Sequence, residues 1–314
     1  NNITEKNTNE ESKLSLKVMA DFSEKSPEKL DALSKSNANQ IQKLTVSAVE
    51  EAASSKEDAD LIAKVVATAS DEITNKVIIE VTKNSIDENQ ALSARVMKSI
   101  VEINSDKIKN LSNENKDTII KQMINAAKNQ NLDKENKEND LTDLIADIII
   151  DADVETSGEI FKQIDKTELD EESDLNLSIL EKLSTKDFYE EKLEIIAIRS
   201  KLNEDAIDSL ISKSIKDVQD DEKLERVINV IKKSKGLVSN KIINTGKKGN
   251  ENKNKVLKII IKIIEKDPEK AIDILEKNKK TKTLINIIKT KIEKGEAVTG
   301  DDFGDVFDTN ISPN

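Results

Sequence analysis

Residues 58–111 read DADLIAKVVATASDEITNKVIIEVTKNSIDENQALSARVMKSIVEINSDKIKNL, and their pattern decides the fold. In Leu61-Ile62-Ala63-Lys64-Val65-Val66-Ala67 the apolar residues fall at i, i+1, i+4 and i+5, one stripe of an α-helix. Ser70-Asp71-Glu72 interrupts the stripe with helix-capping residues, and Ile73, Val77, Ile78 and Val81 open a second one. Leu30 stands thirty-one residues before Leu61 and Leu92 thirty-one after it, each followed two positions on by Ala32, Ala63 or Ala94. That spacing is the size of one helix pair.

Working outward, Ser26-Pro27-Glu28 combines a capping serine, a proline whose missing N–H costs nothing at the first helical position, and an acid at the positive end of the helix dipole. Asp267-Pro268-Glu269-Lys270 repeats the signal near the other end. Between them the periodicity predicts helices over 27–34, 38–53, 58–69, 71–83, 88–103 and 106–129, the last with a break near Asn113. Further helices are predicted over 141–152, 157–166, 174–183, 186–202, 204–216, 221–233, 237–243, 255–266, 268–277 and 281–294. Residues 1–12 read as a disordered lead-in, with a short helix at 14–22, and residues 295–314 as a disordered acidic tail. Residues 130–140 have one apolar position in eleven and read as a linker or protruding loop between stacks at 13–129 and 141–294. Gly246 and Gly249 mark an expected hinge over 246–254.

Composition narrows the function classes. Ile, Leu, Val and Phe supply 88 of 314 positions, above the roughly 20% under which a highly charged chain stays disordered. Seven glycines, three prolines and 2% aromatics argue against sandwiches and barrels, leaving an all-α class. The chain has neither Cys nor His. Disulfides, cysteine zinc sites, the usual general base and the strongest nucleophile at neutral pH are therefore excluded. Acid pairs such as Asp143 with Asp147, or Asp151 with Asp153, read as solvated faces among 62 acids. No catalytic residue, cofactor or metal site is expected. The richest apolar run, 256–264, is broken by Lys258 and Lys262 and falls short of a membrane span. A chain opening Asn1-Asn2-Ile3 reads as a processed product or a fragment.

The net charge of −12 hides a division: residues 141–230 carry 25 acids against 11 bases, and residues 231–294 carry 19 lysines against 7 acids. Gly246-Lys247-Lys248-Gly249 lacks the spacing and the preceding strand of a phosphate loop. Lys232, Lys233, Lys235, Lys247 and Lys248 are instead candidate partner-binding residues. They would meet phosphates, an acidic protein or the acidic region of a second copy, in which case self-association would weaken with salt. The lack of interleaved aromatics argues against nucleic acid. In the tail, Phe303 and Phe307 among Asp301, Asp302, Asp305 and Asp308 form a second candidate, a linear motif for a partner's groove.

The helix openings at Ser26 and Asp267, with the Leu30, Leu61 and Leu92 spacing, resemble irregular α-solenoids of the HEAT and armadillo kind and the superhelical cytosolic domain of magnesium-channel proteins. The resemblance implies a right-handed-type α-solenoid of stacked antiparallel helix pairs over residues 26–294 that binds along a curved surface. The composition also resembles segments of large bacterial surface or secreted proteins. The expectation is a non-enzymatic scaffold or protein-interaction module. A structural spacer in such a surface protein is the first alternative, and anion or nucleic-acid binding through 231–294 the second.

Overall fold

The computed structural model describes residues 2–51, 56–83, 92–132, 141–167, 174–216, 218, 220–245, 250–276, 282–296, 298–299 and 302. The fold is all-α, with eighteen helices and no strand among the described residues. It divides into two compact units, Asn1–Leu175 and Asn176–Asn314.

The first unit contains α1 (Asn2–Lys25), α2 (Pro27–Ser36), α3 (Ala38–Glu51), α4 (Lys56–Thr68), α5 (Asp71–Lys83), α6 (Leu92–Asn104), α7 (Asp106–Lys109), α8 (Asn113–Leu132), α9 (Leu141–Asp151) and α10 (Val154–Lys166). Helix α1 starts at Asn2, well before the expected short helix at 14–22. Its contacts run in two series: α1 packs on α4, α4 on α6 and α6 on α9, while α3 packs on α5, α5 on α8 and α8 on α10. Members of the two series also touch each other, α3 on α4, α4 on α5, α6 on α8 and α9 on α10. The apolar stripes supply the contact: Ile62, Val65 and Val66 of α4, Ile73 and Val77 of α5, and Ile145, Ile148 and Ile149 of α9 are buried.

Polar contacts join α2, the α4–α5 junction and the segment from α7 to α8. The Ser70 N–H donates to Ser34 Oγ at 2.7 Å, and Lys107 Nζ donates to the Ala69 carbonyl at the end of α4. Asn110 Nδ2 donates to Asp71 at 2.8 Å, and Asn75 Oδ1 accepts from the Ser112 N–H at 3.0 Å. Asn75 thereby holds the break between α7 and α8, which lies at the expected position near Asn113. Lys107 is buried, and burial lowers its pKa, but it faces the negative end of the α4 dipole and lies 4.0 Å from Asp71. These cross-links join residues 36 to 39 apart in sequence. Spacing of 31 is not the interval of these contacts: Leu61 is half-buried where Leu30 and Leu92 are buried, and Ala32 is exposed where Ala63 and Ala94 are buried.

Local capping shifts some boundaries. Helix α10 begins three residues ahead of the expected 157, because Asp153 caps it by accepting from the Glu155 and Thr156 amides at 2.9 Å each. Ser157 lies inside the helix, where its hydroxyl donates to the Ile149 carbonyl at 2.9 Å.

The second unit contains α11 (Leu175–Leu183), α12 (Tyr189–Arg199), α13 (Lys201–Lys216), α14 (Asp221–Lys233), α15 (Leu237–Thr245), α16 (Asn250–Lys266), α17 (Pro268–Glu276) and α18 (Lys282–Lys294). Helix α13 packs on α12, α15 and α16; α16 also packs on α14, α15 and α17, and α17 on α18. Val256, Ile259, Ile260 and Ile263 bury the stripe of α16. Residues 250–254, in the expected hinge, are helical, while 246–249 lie outside the described residues. Beyond α18, Asp302 reaches back to Lys291 at 2.7 Å and accepts from the Thr299 N–H. Of the expected linker at 130–140, residues 130–132 instead complete the last turn of α8, and 133–140 lie outside the described residues.

Candidate functional site

The predicted single helix over 186–202 is broken twice, and both breaks build a surface. Phe188 adopts the left-handed conformation (φ 56°) at the start of α12, and Ser200 is extended (φ −158°, ψ 151°) at its end. A left-handed non-glycine residue is strained and is held by its surroundings. The clamp is Glu190, a residue only 4% exposed in the first turn of α12. It accepts from Ser234 Oγ at 2.5 Å, the Lys235 N–H at 2.8 Å and the Val238 N–H at 2.9 Å, with the Leu237 N–H at 3.4 Å. A side chain from a separate helix thus caps the N-terminus of α15, where unpartnered amides and the helix dipole favour an anion. Ser234 completes the cap by accepting from the Gly236 and Ser239 amides at 3.1 Å each. Tyr189 lies beside this carboxylate, and burial first, then the Glu190 charge, pushes its phenol well above the ordinary tyrosine range. At the other end of α12, Asn203 Nδ2 donates to the Ile196 carbonyl at 3.1 Å.

Outside this clamp, Lys235 pairs with Glu191 at 2.9 Å and lies 5.6 Å over the Phe188 ring. An open groove of about 590 Å³ runs beside it, lined by Glu190, Glu191, Glu194, Lys235, Asn240 and Lys241. Alongside stands a ridge of large apolar side chains: Phe188 is 71% exposed, Ile195 54%, Ile198 86% and Leu202 67%. In the first unit a second apolar surface, a groove of about 380 Å³ between α1, α2 and α3, is lined by Leu14, Val18, Phe22, Leu33, Leu30 and Ile41.

Of the residues expected from sequence to bind a partner, Lys233 is exposed at the end of α14, Lys232 is half-buried, and Lys235 is engaged by Glu191. Lys247, Lys248, Phe303 and Phe307 lie outside the described residues. The charge division is partly consumed inside the second unit. Lys241 bonds Asp208, Lys258 bonds Asp221 at 3.2 Å, and Lys266 bonds Glu225 at 2.6 Å, so basic helices face acidic ones. In the first unit Asp147 is held by Lys98 at 2.7 Å, and Asp153 is the cap of α10. Among the described residues no group of three or more acids converges on one point, and no helix is long and apolar enough to cross a membrane.

Sequence reasoning passed over the ridge and the Glu190 clamp. The ridge carried a signal, the seven-residue spacing of Phe188, Ile195 and Leu202, which ordinarily denotes a buried face. No protein-family model, curated protein or solved structure matches this chain.

Proposed function

We propose that this chain is a non-enzymatic helical-repeat scaffold that binds protein partners, with its helix pairs stacked as in an α-solenoid. The two contact series of the first unit support the stacking, because each helix meets the helix one pair further on, as nearest-neighbour repeats require. The observation that carries the interaction reading is where apolar surface is left open. Of eleven large hydrophobic residues exposed among the described ones, eight fall into two clusters: Leu14, Val18, Phe22 and Leu33, and Phe188, Ile195, Ile198 and Leu202. Scattered exposed side chains need no explanation, whereas contiguous ones mark interaction surfaces.

The test is affinity capture from a native lysate of the source, half of it nuclease-treated, with the wild-type chain and a Val18→Asp/Leu33→Asp variant. A discrete protein retained from both halves by the wild type and lost by the variant supports the reading. Retention abolished by nuclease, or equal retention by both chains, overturns it.

A further inference from the structure

We infer that the ridge on α12 is a dimer interface whose occupant is the same ridge of a second copy of this chain. The inference rests on the reading that the exposed apolar clusters are interaction surfaces, and it names the partner for one of them.

Phe188, Ile195 and Leu202 are spaced by seven, and Ile198 lies three beyond Ile195, which is the a and d pattern of a helix seam, while the preceding d position is Glu191, spent on Lys235. Only Ile195 and Ile198 lie within α12 itself, three residues apart, so the helical part of the seam is one turn long, with Phe188 and Leu202 at its ends. Ile198 is the most exposed large hydrophobic residue described. The charges beside the seam point to a like partner. Glu194 and Arg199 are both exposed, and neither makes an ion pair among the described residues. Five residues apart, they stand about 140° apart around the helix, one on each side of the Ile195 and Ile198 stripe. They cannot meet within one helix, but in a parallel pair related by a two-fold axis the position before a and the position after d on the partner are brought together. Glu194 of one copy then faces Arg199 of the other, twice. The flanks carry one free charge of each sign, so the ridge is complementary to itself, which a strongly basic or strongly acidic partner would not match. The strained Phe188 and the saturated Glu190 cap hold the start of α12 in place, so the seam is formed before association.

The experiment is sedimentation of the full chain over a range of about 1 to 200 µM, where the weak association of a one-turn seam would be read. The expected result is a mass that doubles with concentration. Ile198→Asp should leave a monomer at every concentration; because that side chain is exposed, its thermal melt should match the wild type, and Ile195→Asp serves as a second check. Glu194→Arg and Arg199→Glu should each raise the dimer dissociation constant by roughly tenfold, since each places two like-charge pairs across the seam. The double swap Glu194→Arg/Arg199→Glu should restore it. A monomer throughout, a dimer indifferent to Ile198→Asp, or a double swap as weak as either single one overturns the inference. A monomer that still captures a partner through Val18 and Leu33 overturns the dimer and leaves the scaffold reading standing.

Discussion

Replacing Glu190 by alanine should destabilise the second unit by about 3–5 kcal/mol, the range for removing one partner from a buried charged network. The figure follows from the groups it strands. Val238 N–H and Ser234 Oγ donate to the carboxylate in a buried setting, and each, left without an acceptor, costs about 1–3 kcal/mol. The Lys235 and Leu237 amides are only partly buried and can turn to water. Loss of the anion at the α15 terminus adds about 0.3–1 kcal/mol. Glu190→Gln preserves the shape but sets an amide nitrogen against N–H donors, and should cost somewhat less than alanine. Urea unfolding followed by tyrosine fluorescence is the assay, because Tyr189 is the only tyrosine, there is no tryptophan, and the neighbouring residue reports on this unit. A Glu190→Ala loss under about 1 kcal/mol at unchanged m-value would refute the cap, since stranded buried donors cannot cost so little.

Three further outcomes are expected. Ile149→Ala, at a fully buried position of α9, should cost about 2–5 kcal/mol of the first unit's stability by far-ultraviolet circular dichroism in denaturant. The single tyrosine should resist ionisation in the folded chain, so absorbance at high pH rises well above the ordinary midpoint near 10, and Glu190→Gln should move that midpoint down; a native midpoint at the ordinary value would contradict the burial of Tyr189. Acid should lower the melting temperature. Lys76, Lys109 and Lys235 hold the carboxyls of Glu72, Asp106 and Glu191 below their ordinary range by hydrogen bonding and charge. Their folded values lie under the unfolded ones, so this stabilisation is present above about pH 4.5 and is lost as the pH falls through the folded values. A melting temperature that climbs from pH 5 to pH 2 would show that these pairs contribute nothing.

Much of the fold was legible because the signals are local. Helices α5 and α14 occupy the predicted residues 71–83 and 221–233, where an acidic first turn precedes an unbroken stripe. Part of what escaped the sequence depends on residues far away in the chain. The break at Phe188 is supported by partners at Ser234 and Val238, whereas the break at Ser200 carried a local signal, a serine whose Oγ caps α13 by accepting from the Asn203 N–H at 3.2 Å. The start of α10 was missed because Asp153 reads equally well as one more solvated acid. Summed charge suggested an acidic and a basic end, yet Lys258 and Lys266 are spent on Asp221 and Glu225, a pairing that only stacking reveals. The ridge was misjudged for a similar reason: a seven-residue apolar spacing says that a face is present, and only the packed neighbours decide whether it is covered.

Nearest-neighbour stacking underlies the scaffold proposal, and zero-length carbodiimide cross-linking read by mass spectrometry tests it most directly. The account predicts links one helix pair apart: Glu24 to Lys64, Lys98 to Asp147, Glu191 to Lys235 and Glu225 to Lys266, all of them contacts in the structure. Absence of these links, with abundant links instead between α1 and α9 or between α11 and α18, would contradict it.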